Sequence, residues 1–503
     1  MGLPLRFPRR LLLLALLLGL SADRLFVGRW LGLSAPLFVA ADLLALAWLS
    51  RAEGRPPTRA NLWLGGATLL FASFLAVRDA PVLVVLDSVA VVGLLLLLVG
   101  HYRGPGLFRI PLVQALATSL VASWTMGIAA PVPIQQSIRS LPVRRTHLVA
   151  VLPVARGFVL ALPAVLVFGA LLMAADSVFT SYVMQTLSFQ VPFDPASAVY
   201  HMLVTLAVAW LCAGGLVVAL RGQGQPDGAH GLPAQGETQR LYWPYLPRPI
   251  LGWIEALTIL SALDALFSIF MLVQGAYFFG GLDTLARTGM SYADYARHGF
   301  FELLTVACLA LALLGVLAVT TRHHTRLHRS LFNTASGAMV VLVLGMLGSA
   351  FQRMWLYEEA YGFTRLRVYT HSFMLWLAIV LFLYLTALLR DRARIFVFGC
   401  MITALVYLAG LNVANPDALI VRANIARYMV SGKLDVNYLG TLSADATPNL
   451  VASLGKVDAG AQNIFLATLH QQQMVLANAR TQQGWPAWNL ARARALAAQD
   501  TMR

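Results

Sequence analysis

The chain has 503 residues, 59% of them hydrophobic and only 12% charged. Soluble proteins carry about 25% charged residues, so a water-facing globule is excluded and lipid is the solvent for most of the length. The formal charge of +15 sits mainly in short segments between apolar runs, where it sets orientation and meets anionic headgroups; no basic stripe interleaved with stacking aromatics suggests nucleic acid.

A membrane-spanning helix needs about 20 apolar residues. Such runs lie near 10–28, 31–50, 60–77, 80–100, 148–174, 199–220, 250–279, 299–320, 332–356, 370–389 and 394–413. Arg9 and Arg10 followed by Leu11–Leu20 resemble a signal peptide, but the next apolar run begins almost at once, so a retained first helix is expected. Arginine bias sets the orientation. Arg6, Arg9 and Arg10 precede the first run, Arg51, Arg55 and Arg59 follow the second, and Arg390, Arg392 and Arg394 flank the start of the last. Residues 175–198 hold no Lys or Arg. The pattern predicts a cytoplasmic N-terminus, eleven crossings and an extracytoplasmic tail. The apolar stretch 110–130 has arginines on both flanks. A crossing there would put 175–198 inside, so 110–130 is expected to be re-entrant or interfacial.

Loop 221–249 is rich in Gly, Gln and Pro and reads as a flexible cytoplasmic linker. After residue 413 the composition changes. Residues 414–503 predict a small α-helical extracytoplasmic domain, with Asn415-Pro416 starting a helix and Gly432 stopping it. The predicted fold is therefore all-α: a polytopic transmembrane bundle over 1–413 with a helical domain over 414–503.

Ionisable groups in hydrocarbon are costly and mark candidate sites. Asp264 shares a narrow helix face with Ser261, Ser268 and Gly275. That stripe suits a helix–helix contact, and alternatively a substrate path. Ser291 and Asp294 form a capping box, after which His298 and Glu302, four apart, can pair. One His beside one carboxylate does not make a metal site.

The densest polar segment holds Arg353, Glu358, Glu359, Arg365, Arg367 and His371, expected in an outer loop and its flanking helix ends. Its Tyr and Trp residues are ordinary interface anchors. The arginines are not explained that way, because they sit on the side that positive-inside bias disfavours. They imply fixed ion pairs or an anionic ligand. The tail adds Arg422, Arg427, Asp435 and Asp445, which either close a polar cup at the outer face or cap and pack helices. In the packing account Asp435 and Ser443 each cap a helix.

The segments YADYARHGFFEL (292–303), SAFQRMWLYEEAYGFTRLRVYTHSFMLWLA (349–378) and NPDALIVRANIARYMVSGKLDVNYLGTLSADATPNL (415–450) resemble the bacterial membrane family catalogued as domain of unknown function 4173, with family 4153 as its relative. The resemblance spans roughly 150–500. It implies architecture and a bacterial plasma membrane, and no established activity.

There is no P-loop, nucleophile elbow, HExxH or dinucleotide fingerprint. Cys212, Cys308 and Cys400 lie in apolar runs without zinc spacing. No cofactor or metal is expected. Membrane lipids are the expected partners, together with a protein contacted through 414–503. The expected function is a signalling, scaffold or partner-binding membrane protein with a polar site at its outer face. A transporter or channel using Asp264 is one alternative. The other is an enzyme acting on a lipid-linked substrate through Glu302, Glu358 or Asp445, which the very short first outer loop disfavours.

Overall fold

The structure is a computed structural model that describes residues 5–107, 112–139, 195–221, 251–279, 300–321, 325–390 and 393–502. The apolar run 148–174, the linker 221–249 beyond Arg221, and His298 with its capping box fall outside those residues.

Apolar segments in lipid must satisfy every backbone group internally, which helices do. The first half of the described chain comprises α1 (Pro8–Phe26), α2 (Ser34–Ala52), α3 (Trp63–Leu75), α4 (Pro81–His101), α5 (Leu112–Ala129), α6 (Pro131–Arg139) and α7 (Pro195–Arg221). The second half of the bundle comprises α8 (Trp253–Phe279), α9 (Phe300–Thr320), α10 (Arg326–Tyr361), α11 (Arg365–Leu389) and α12 (Ala393–Ala414). The tail follows as α13 (Pro416–Ser431), α14 (Val436–Gly440), α15 (Thr447–Ser453), α16 (Ala459–Gln483) and α17 (Leu490–Asp500). Among the described residues there is no strand, only one isolated bridge between Leu251 and Thr321.

Six of the described helices hold a segment long and apolar enough to cross a membrane: Ser34–Ala52, Pro81–His101, Ser197–Arg221, Trp253–Leu272, Arg326–Glu359 and Arg365–Leu389. Phe398–Ala414 and Pro416–Ser431, bent by 53°, would together make a seventh. The chain is a multi-pass membrane protein on this ground. The expected run list is longer for physical reasons. Helix α1 carries Arg9, Arg10, Asp23 and Arg24, α3 has only 13 residues, and Glu302–Ala318 is a shorter apolar helix.

Hydrogen bonds fix which turns share an end of the bundle. At one end, Phe7 N donates to Glu53 (2.8 Å), Asn61 Nδ2 to His101 O (2.7 Å), Arg103 to Leu220 O (2.9 Å) and Leu251 N to Thr320 O (3.2 Å). At the other, Leu33 N donates to Trp488 O (2.8 Å), Leu490 N to Ala76 O (2.8 Å) and Phe363 N to Asn424 Oδ1 (3.0 Å), while His201 meets Asp23 at 2.7 Å. The second end is therefore the one that carries the tail.

Helices α5 and α6 are arranged differently from their neighbours. Thr118 lies 3.0 Å from His101 and Gln136 accepts from Leu5 N at 3.1 Å, so α5 and α6 both reach the tail-free end. Between them the chain turns at Ala130, itself buried, where Trp210 Nε1 donates to Gly127 O (3.0 Å).

One apolar core joins α1–α4, α7 and α12, and a second joins α8–α11. A third lies in the tail around Ile420, Val421, Leu439, Leu450, Phe465 and Leu469. Asn415, in the left-handed region at φ 54°, accepts from Ala418 N, and Gly432 closes α13 at φ 67°. Those start and stop signals are the ones that the sequence carries.

Candidate functional site

The outer loop expected between the runs 332–356 and 370–389 is mostly helix. Helix α10 runs unbroken for 36 residues to Tyr361, and only Gly362–Thr364 connect it to α11. Arg353 and Glu358 are therefore helical and buried, and the ridge of polar residues continues the helix beyond its apolar stretch. Glu358 Oε2 lies 2.9 Å from His371 Nδ1, with the Phe351 ring edge-on to the imidazole at 3.9 Å. Arg367 donates to the Gly362 carbonyl and stacks over Tyr357 at 4.1 Å.

The tail is clamped to this turn. Arg365 grips Asp417 with both arms of its guanidinium, Nε to Oδ1 at 2.9 Å and Nη2 to Oδ2 at 2.5 Å. Ser443 donates to the same carboxylate from its N (2.9 Å) and Oγ (2.7 Å), and Arg365 N donates to Tyr438 Oη at 2.6 Å. Asp417 is fully buried. Burial alone would raise its carboxyl, but the Arg365 and Ser443 donors outweigh that and hold it below the ordinary value. Asn424 pairs reciprocally with the Phe363 backbone (3.0 and 2.8 Å), and Arg427 donates to Glu359 O (2.9 Å).

A second clasp joins the tail to the turn between α3 and α4. Asp445 accepts from Arg78 Nη1 (3.1 Å), Asp79 N (2.6 Å) and Ala80 N (2.9 Å). Arg78 also donates to Asn412 O at 2.6 Å. Below it, Asn412 Nδ2 donates to the fully buried Asp87 (2.9 Å). Arg492 bonds Asp79 at 2.7 Å. Burial raises the Asp79 carboxyl, and Arg492 opposes this without cancelling it.

The expected residues therefore separate. Arg365, Arg367, Glu358, His371, Arg427 and the backbone of Glu359 meet around one turn. Asp445 is engaged at the other turn, with Arg78, and Asp435 caps α14 through Tyr438 N (3.0 Å), so neither is the partner of Arg353, Arg365 or Arg367. Ser443 caps no helix, because its hydroxyl is committed to Asp417. Arg422 and Glu302 are exposed. Asp264 lies apart, inside α8, with Oδ1 buried and no hydrogen-bond partner for that atom. His298 is outside the described residues. Among the described residues no three His, Cys, Asp or Glu side chains gather to hold a metal.

Sequence reasoning passed over Asp417, Arg78, Asp79 and Asp87. Arg78 carries the same signal as Arg365, an arginine on the side that the bias disfavours. Asp87 in PVLVVLDSVAVV carries the same signal as Asp264. Asp417 had none of its own, since an acid in the first turn of a helix reads as a partner of the helix dipole.

The description "Domain of unknown function (DUF4153)" matches residues 65–453, more than half of the chain. The chain belongs to the DUF4153 family. The motifs suggest family 4173, and the family shown is instead its relative, 4153. The DUF4153 range runs from α3 to α15, so both clasps, Arg365–Asp417 and Arg78–Asp445, lie within it. Helices α1, α2, α16 and α17 lie beyond its limits. No curated protein and no solved structure matches the chain.

Proposed function

We propose that this DUF4153 protein is a binding scaffold of a bacterial plasma membrane, with its N-terminus and linker 221–249 cytoplasmic and residues 414–503 outside. In this reading α5 and α6 form a re-entrant hairpin that enters and leaves on the cytoplasmic side. The observation that carries the scaffold reading is the way charge is used at the tail end. Arg365 with Asp417 and Arg78 with Asp445 are joined bundle to tail, and Glu358 is engaged by His371. Carboxylates spent in this way hold a platform in place and are not themselves free for general acid–base work. The platform also presents apolar side chains away from the clasps, Val430 at 92% exposure and Met474 at 63%. A protein partner would cover them.

The test is photo-crosslinking in native membranes from Val430 or Met474. A discrete protein adduct is the expected result. Its absence from both positions, with the tail still docked, overturns the scaffold reading.

The buried, unpartnered Oδ1 of Asp264 favours a second reading, cation or proton coupling through α8. Under the scaffold reading Asp264→Asn keeps function in a growth assay, since an amide still packs and hydrogen-bonds. A severe loss at normal expression would favour transport.

A further inference from the structure

The turn between α1 and α2 and the last two tail helices flank a half-open cavity of about 350 Å³, into which neither the Arg365–Asp417 nor the Arg78–Asp445 pair enters. Trp30, Arg480, Gln483, Trp485, Trp488 and Arg492 line it, with Leu476 and Leu496 at its apolar wall. Its frame is rigid. Trp30 N donates to Gln483 Oε1 (2.8 Å), Leu33 N donates to Trp488 O (2.8 Å), and Asn489 Nδ2 bridges the carbonyls of Leu75 (3.0 Å) and Arg78 (2.9 Å). Gly32 makes the approach possible, because a Cβ there would lie 2.4 Å from Trp488 O.

The two cations differ in state. Arg492 is held by Asp79 and lies over the Trp30 ring at 4.7 Å. Arg480 is exposed and has no acidic partner among the described residues. Three tryptophans surround them with large exposures, Trp30 at 40%, Trp488 at 46% and Trp485 at 63%. Trp30 lies four residues before α2, a helix long and apolar enough to cross a membrane, so the cavity sits at the end of a candidate span. Indole rings at that level belong to the membrane–water interface, and a guanidinium among them is suited to a phosphodiester.

We propose that this cavity is a binding site for an anionic membrane phospholipid. Its phosphate is taken by Arg480, with Arg492 behind it, and its glycerol and upper acyl chains lie against Trp485 and Trp488. The inference rests on the docked tail and is independent of whether a protein partner exists.

The test uses the full chain in nanodiscs of phosphatidylcholine mixed with phosphatidylglycerol, followed by native mass spectrometry of the lipid retained. Wild-type protein is expected to keep phosphatidylglycerol over phosphatidylcholine. Arg480→Gln should cut that retention about tenfold, the loss expected of one charge-assisted hydrogen bond, and Trp485→Ala should also reduce it. Neither side chain takes part in a clasp, so an unchanged melting temperature is the folding control, and Arg480→Lys should retain an intermediate amount. Equal retention of the two lipids overturns the proposal. So does retention that survives Arg480→Gln, or displacement of the lipid by inorganic phosphate at millimolar concentration, which would make the site one for a free anion.

Discussion

Asp417 shows at the residue scale how the tail is held. A carboxylate removed from water needs donors for its lone pairs, and it receives them from a forked guanidinium and from both donors of Ser443. Removing one member of such a pair leaves the other buried and uncompensated. Asp417→Asn is therefore expected to cost about 3–5 kcal/mol of tail docking, read as a lower melting temperature and faster proteolysis of residues 414–503. The pH dependence follows from the same contacts. A carboxyl held below its unfolded value stabilises the fold fully above that value and loses the contribution as pH falls through the folded one. Wild-type docking should weaken as pH drops below about 4, and the Asn variant should lack that component. Asp79 runs the other way. Its carboxyl is raised by burial, so its contribution to docking diminishes as pH rises just past the ordinary carboxylate value. A wild-type tail whose melting is flat below pH 4 would refute the role given to Asp417.

At the scale of elements, the turn between α10 and α11 decides where the tail sits. Gly362 adopts φ 81°, and a Cβ there would lie 2.5 Å from Asn424 Oδ1, the atom that accepts from Phe363 N. Gly362→Ala must both strain the backbone, by about 1–2 kcal/mol, and displace Asn424. Loss of the tail's protection from protease, with the bundle still folded, is the expected outcome, and unchanged protection would show that Asn424 does not anchor α13. This turn was only partly legible in the sequence. The apolar runs announced α10 and α11, and the surplus of arginines pointed to fixed pairs nearby. Nothing in the spacing revealed that α10 continues past residue 356 through Glu358 to Tyr361, because a polar stretch beyond an apolar run reads as loop when the neighbour that buries it is unknown. The identity of the partners was hidden for a related reason. Asp417 and Asp445 are 28 positions apart in the chain, yet they meet different turns, and only packing assigns each to its arginine. Local signals fared better: Asn415, Asp435 and Gly432 act on backbone within a few residues, and each does what its type allows.

In the whole molecule, parity decides which turns share a side. The turns after α1, α3 and α10 meet the tail, whereas the turns after α2, α4, α7 and α9 gather at the opposite end, so each full crossing switches sides. Arginine counts make the same division without any coordinates. Arg6, Arg55, Arg59 and Arg103 lie at the tail-free end, and three of the arginines at the tail end, Arg78, Arg365 and Arg492, are committed to carboxylates. Basic residues gather at the tail-free end, and part of the positive charge at the other end is neutralised by carboxylates. On the proposed orientation the clasped tail lies outside and the linker 221–249 inside. The α5–α6 hairpin keeps the count consistent, since a pair that returns to its own side adds no crossing. Reporter fusions at Gly460 and Gly228 are expected to fall on opposite sides of the membrane, Gly460 outside. A third fusion, at Ala130, tests the hairpin, because a site that only dips into the bundle should report neither compartment. If Gly460 and Gly228 share a side, the number of crossings between them is even and the parity built from the turns fails.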